Sequence, residues 1–298
     1  AEYSTAGGGG FAWSGVVTYR KRFQAPEDWR GQNILLEFEG VYMNAEVSIN
    51  RQLVALHPYG YTSFIVDLSP YLKYGGENEL TVVVNNSAQP NSRWYSGTGI
   101  YRHVWLRTGG SAHIRPWGVF VTTPVADPLV STVQVTTEVS GALQAILRAT
   151  VLDASGVPEA QVETPVQGEW VQQTLAVKNA RLWSVDEPKL YTLVSELLVD
   201  GSVVDSETTV FGIRTFTIDA QNGFRLNGVP MLLKGGCVHH DNGLLGSASY
   251  DRAEERKIEL MKASGYNAIR CAHNPPAPAM LDACDRLGML VMDESFDM

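Results

Sequence analysis

Three short apolar runs near the C-terminus, each closing on imidazole or carboxylate side chains and separated by two stretches of helical periodicity, constrain this chain more than any other feature. Residues 231–236 (MLLKGG) open into a polar loop, Cys237-Val238-His239-His240-Asp241-Asn242-Gly243. Asp251 three residues before Glu254 has capping-box spacing and predicts a helix over about 252–264 that stops at Gly265. Residues 266–272 make a second run, ending in His273-Asn274. Pro275 and Pro276 pre-set φ for a helix start, and Ala277, Met280, Leu281, Cys284 and Leu287 recur at helical spacing until Gly288. The third run, 289–292, ends in Asp293-Glu294. This order predicts a βαβαβ unit with parallel strands, whose polar groups gather at the strands' C-terminal ends.

The motifs KGGCVHHD (234–241), GYNAIRCAHNP (265–275), LDACDRLG (281–288) and VMDE (291–294) stand in this order. Together they resemble the opening of the catalytic barrel of family 2 glycoside hydrolases, the β-galactosidase and β-glucuronidase group. The resemblance implies a (β/α)8 TIM barrel, which takes roughly 250 residues. From Met231 onward the 298-residue chain has room for three of its eight strands.

The preceding residues read as β throughout. Residues 1–109 hold short β-branched runs such as 33–39, 45–49 and 79–84 between Gly, Pro and Asn turns, the spacing of a two-sheet sandwich. EGVYMNAEV (39–47), HPYGYTSF (57–64) and NSRWYSGTGIYR (91–102) are similar to the family's jelly-roll sugar-binding domain. Residues 110–217 hold about seven further strands, as in an immunoglobulin-like β-sandwich. Alternation along 132–139 turns valines inward and polar residues outward. ARLWSVDEPKLY (180–191) resembles the family's second domain, with Trp183 and Tyr191 as packing residues and a spacer role for the domain. Residues 218–298 are then the start of the barrel, entered by a hairpin with an Asn227-Gly228 turn.

A net charge of −9 with no concentrated basic face argues against a nucleic-acid partner, and no run of 18 uninterrupted apolar residues offers a membrane span. The three cysteines, Cys237, Cys271 and Cys284, have no metal-finger spacing and read as free thiols. The opening Ala1-Glu2-Tyr3 does not read as a secretory signal and leaves the compartment open.

Family 2 enzymes retain configuration, using one glutamate as acid/base and a second as nucleophile. The resemblance places both beyond residue 298, so no catalytic residue is assigned and the chain alone is expected to be inactive. It implies substrate contacts from Asn91 and Arg93 in the jelly-roll loop, and from His239, Asp241, His273, Asn274 and Glu294 at the barrel strand ends. Arg270 and His240 stand as supporting residues: Arg270 pins a carboxylate such as Glu294, while His240 or Asp241 equally suits a contact with neighbouring protein. The residues of 91–102 alone also allow a plainer reading, with Trp94 and Tyr101 in the core and Arg93 or Arg102 paired with a carboxylate. No cofactor and no metal is implied. A rival reading makes His239, His240, Asp241, His273 and Glu294 a zinc site, though helical zinc spacing is missing. Another makes the chain a carbohydrate-binding accessory module without turnover. The expected partner is a carbohydrate, a β-galactoside or related β-glycoside, together with a second copy of the chain or the missing C-terminal part of the same enzyme. β-Galactosidase is favoured over β-glucuronidase or β-mannosidase by the run His239 to Gly243.

Overall fold

The computed structural model describes residues 15–88 and 97–295. Asn91 and Arg93 lie outside the described residues.

The first sandwich pairs two antiparallel sheets. One has the order Val16–Ala25, Gly76–Asn85, Ala45–Ile49, Gln52–His57, and the other the order Phe64–Asp67, Asn33–Phe38, Val104–Gly109. Alternate residues Ile34, Leu36 and Phe38 meet Val47, Ile49, Val82 and Val84 between the sheets, which is the jelly-roll core. The second sandwich sets His113–Val125, Val130–Ser140 and Trp170–Lys178 against Pro158–Pro165, Ile146–Leu152, Tyr191–Val199 and Ser202–Phe211. Here the alternation read from 132–139 is realised: Val133, Val135 and Val139 are buried in the immunoglobulin-like core.

The third unit is a parallel sheet of three strands, Gly235–Val238, Ala268–Cys271 and Leu290–Met292, with helices Asp251–Ala263 and Pro278–Leu287 as crossovers. The register Gly235↔Ala268↔Leu290 brings the three strand ends to one rim. Asn227 and Gly228 both have positive φ (50° and 78°), as the Asn-Gly hairpin turn requires.

Two local expectations are corrected. The first barrel strand starts at Gly235 rather than Met231, because the Asn267 side chain occupies the backbone ahead of it, donating to Leu232 O at 2.9 Å and accepting from Lys234 N at 2.7 Å. Asp251 is not a helix cap. Tyr250 is the N-cap residue with no side-chain bond, and the Asp251 carboxylate instead meets His103 Nε2 of the jelly roll at 2.7 Å. Glu254 is buried and accepts from Asn242 Nδ2, Ser249 Oγ and Lys257 Nζ, tying the loop after the first strand to the first helix.

Both sandwiches hold the barrel unit. From the immunoglobulin-like domain, Trp183 and Val185 pack with Leu226, Ala268 and Leu290, and Trp183 Nε1 donates to Asp285 O at 2.8 Å. Lys262 Nζ donates to both Val185 O and Gly288 O, so one ammonium bridges the two units. Gly288 caps the second helix in the left-handed region (φ 75°), and a Cβ there would run into the Val185 carbonyl oxygen.

Candidate active site

The rim of the parallel sheet carries the side chains singled out in the sequence. The first strand delivers His239 and His240, the second Arg270, His273 and Asn274, and the third Glu294. His239 and His273 lie edge to face with ring centroids 5.7 Å apart. Arg270 Nε donates to Glu294 Oε1 at 2.5 Å, His273 Nδ1 lies 3.1 Å from Glu294 Oε2, and Arg270 Nη1 approaches Cys237 Sγ at 3.5 Å. Residues from all three strands thus meet around the Glu294 carboxylate, both of whose oxygens are engaged. Asp241 stays exposed on the loop after the first strand.

His240 and Asn274 face the other way, into the jelly roll. His240 stacks on Tyr61 with centroids 4.8 Å apart, and Asn274 Oδ1 accepts from the Tyr59 hydroxyl. Between them sits Arg102, only 7% exposed. Its Nη2 donates to Pro275 O at 2.8 Å and reaches His240 Nδ1 at 3.3 Å, while Nη1 reaches Glu39 O and Tyr61 O at 3.4 Å each. A guanidinium has no acceptor, so His240 Nδ1 must accept and the neutral ring carries its proton on Nε2. Burial, then the adjacent Arg102, Lys257 and His239, push the His240 pKa down to about 3. His240 is therefore a neutral docking ring between domains.

Arg102 pairs with backbone carbonyls and an imidazole, not with a carboxylate, which corrects the plainer reading for this residue; Arg93 and Trp94, also part of that reading, lie outside the described residues. Tyr101, by contrast, is buried as that reading has it, its hydroxyl donating to Gly60 O at 2.9 Å and its pKa raised by burial to about 12. The contribution of Tyr59, Tyr61 and Arg102 to the barrel was missed in the sequence. Their only mark was membership of the motifs at 57–64 and 91–102. Among the described residues, no group of three or more His, Cys, Asp or Glu is placed to hold a metal ion, and all three cysteines are free thiols.

Three family models match consecutive parts of the chain: the sugar binding domain of glycosyl hydrolases family 2 over residues 11–109, a glycosyl hydrolases family 2 domain over 112–214, and the TIM barrel domain of the same family over 218–296. The chain belongs to glycosyl hydrolase family 2. Among curated relatives of this family 2 chain, a Bacteroides ovatus protein named β-galactosidase BoGH2A is 45% identical, matching 98% of the chain but 35% of its own length. A Formosa agariphila protein named putative β-glucuronidase is 37% identical, matching 97% of the chain and 28% of its own length. The chain thus spans about a third of the length of these relatives. Among solved structures, a family 2 member from Bacteroides cellulosilyticus superposes with a TM-score of 0.92 at 47% identity, over 95% of this chain and 40% of that one. A β-glycosidase from Bacteroides vulgatus does so with 0.91 at 32% identity, over 99% and 38%.

Proposed function

We propose that this chain forms the substrate-side wall of a retaining β-glycosidase that removes terminal β-linked galactose. The observation that carries the reading is the rim cluster, in which His239, His273, Arg270 and Glu294 converge from three parallel strands at the barrel face where substrates bind. His273 Nδ1 lies 3.1 Å from Glu294 Oε2 and 3.4 Å from Arg270 Nη2, so the ion pair fixes the ring at the rim where a sugar hydroxyl would meet it. His239 adds a second imidazole edge, and Asp241, exposed beside it, is an acceptor for a hydroxyl. Asn274 acts through Tyr59, holding the loop that carries His273. The family resemblance adds Asn91 and Arg93, outside the described residues, as further sugar contacts.

A retaining reaction needs two carboxyl groups about 5 to 5.5 Å apart, one protonated and one free to attack. Glu294 accepts from Arg270 and His273 with both oxygens, which suits an anchor and not an acid or nucleophile. We therefore expect the chain alone to bind sugar weakly and turn nothing over. Galactose is favoured by the likeness to the Bacteroides ovatus β-galactosidase, and glucuronate is the runner-up through the Formosa agariphila relative. The test assays the pure chain, and a protein translated from the frame continuing past codon 298, on aryl β-galactoside and aryl β-glucuronide. Expected are no turnover by the chain and release from the galactoside, with the β-anomer formed first, by the longer protein. Turnover by the chain sinks the inactivity, preference for the glucuronide sinks the sugar, and an initial α-anomer sinks retention.

A further inference from the structure

We infer that the junction between the outer face of the jelly roll and the immunoglobulin-like domain carries a second carbohydrate site, built on Trp105 of the first and Trp117 of the second and separate from the barrel rim. Ile34, Leu36 and Phe38 point into the core, so Glu37 points outward, and the register Glu37↔Trp105 places Trp105 on that same outer face. Trp105 and Trp117 are 48% and 58% exposed, yet neither ring swings free. Trp105 Nε1 donates to Glu39 Oε1 at 2.7 Å, and Trp117 Nε1 donates to Glu37 Oε1 at 3.1 Å. Both carboxylates are almost wholly buried (Glu37 4%, Glu39 8%), and Glu37 is held in turn by Arg107 Nε at 2.5 Å.

This wiring engages the polar edge of each indole with protein, and with His103 tilted against Trp105 at 5.0 Å between centroids it leaves each indole about half exposed in a fixed orientation. An exposed tryptophan with no such role would leave its N–H to water. Trp117 adds an independent sign, because its backbone sits at φ +59°, where a bulky residue is strained and glycine or asparagine is at ease. Two fixed indoles beside the half-exposed Arg107 guanidinium match a pyranose: C–H bonds on its face for the aromatic rings and hydroxyls at its rim for the guanidinium donors, while the two buried carboxylates hold the platform in place. The net charge of −9 and the two glutamates favour a neutral glycan over a polyuronate. The occupant is therefore a neutral polysaccharide or oligosaccharide, held while its ends are trimmed elsewhere.

The choice of galactan as first probe rests on the galactosidase reading, so a gluco-configured polymer is run beside it. Native affinity electrophoresis of the 298-residue chain in gels containing soluble β-1,4-galactan or β-glucan is the test. We expect galactan to retard the chain, and Trp105→Ala or Trp117→Asn each to weaken binding about tenfold. Trp117→Asn suits the left-handed backbone and keeps the fold. Trp170→Ala, which removes an equally exposed indole elsewhere on the immunoglobulin-like domain, should change nothing. Retardation by β-glucan alone, with the same mutant pattern, supports the platform while failing the galactose reading. No retardation in either gel, retardation that ignores both substitutions, or a wild-type dimer that Trp105→Ala dissociates each overturns the proposal.

Discussion

Toward the jelly roll, the barrel's strand-end loops are buried and bonded: Arg102, Tyr59 and Tyr61 take up His240, Asn274 and Pro275, and His103 meets Asp251. Along the cleft of about 530 Å³ lined by Phe216, Ile218, Leu233, Ile269 and Met292, the same unit stands open, with Ile218 73% and Met292 59% exposed. The first region is polar and closed, and the second apolar and uncovered. Among the described residues, the bonds that fix the strand-end loops come from the jelly roll, and the packing beneath the strands comes from the immunoglobulin-like domain.

The comparison breaks most readily at Arg102. Arg102→Ala removes the guanidinium donor from Tyr61 O and Pro275 O, while Glu39 O keeps Ser63 Oγ, and should cost about 3 kcal/mol, read by urea unfolding. A loss under about 0.5 kcal/mol, the ordinary surface range, would mean that the closed region holds nothing. Next is Gly288→Ala, where a left-handed backbone and the Val185 carbonyl together predict a loss of about 2 to 3 kcal/mol in the same assay.

Much of this fold was legible in the chain itself. Helical spacing and the Gly265 and Gly288 stops located the first crossover helix to within a residue and the end of the second, whose start is set by Pro278 and not by Pro275 and Pro276, and period-two alternation set the inward valines of the second sandwich. The rim followed from polar residues at strand ends. What could not be read was partnership: Tyr59 and Asn274 are 215 positions apart, and Arg102 and His240 are 138 apart. No periodicity reports contacts at such separations. The supposed cap at Asp251 failed for the same reason, since a partner from another domain claimed the carboxylate.

Acid sharpens the comparison on a smaller scale. His240 titrates near 3 when folded and near 6.5 when unfolded, so the unfolded chain takes up the proton first as pH falls. Stability should be full above about 6.5 and decline toward 3, with a loss of about 2 kcal/mol between pH 7 and 5 from this group. His240→Gln should flatten that stretch of the pH profile in thermal melts, and an unchanged slope would assign the acid sensitivity elsewhere. The smallest effect belongs to the open cleft. Ile218→Ser or Leu233→Asp should shift stability by less than about 0.5 kcal/mol while lowering binding of an apolar dye and slowing aggregation. A large destabilisation there would show that the cleft is core already.

The most direct test is hydrogen exchange followed by mass spectrometry on the wild-type chain and Arg102→Ala at pH 7. Peptides spanning 238–242 and 271–276 should be protected in the wild type and lose that protection in the variant, while the core strands Asn33–Phe38 and Ala45–Ile49 keep theirs. Unchanged protection at the two barrel loops would contradict the claim that the jelly roll holds the rim in place.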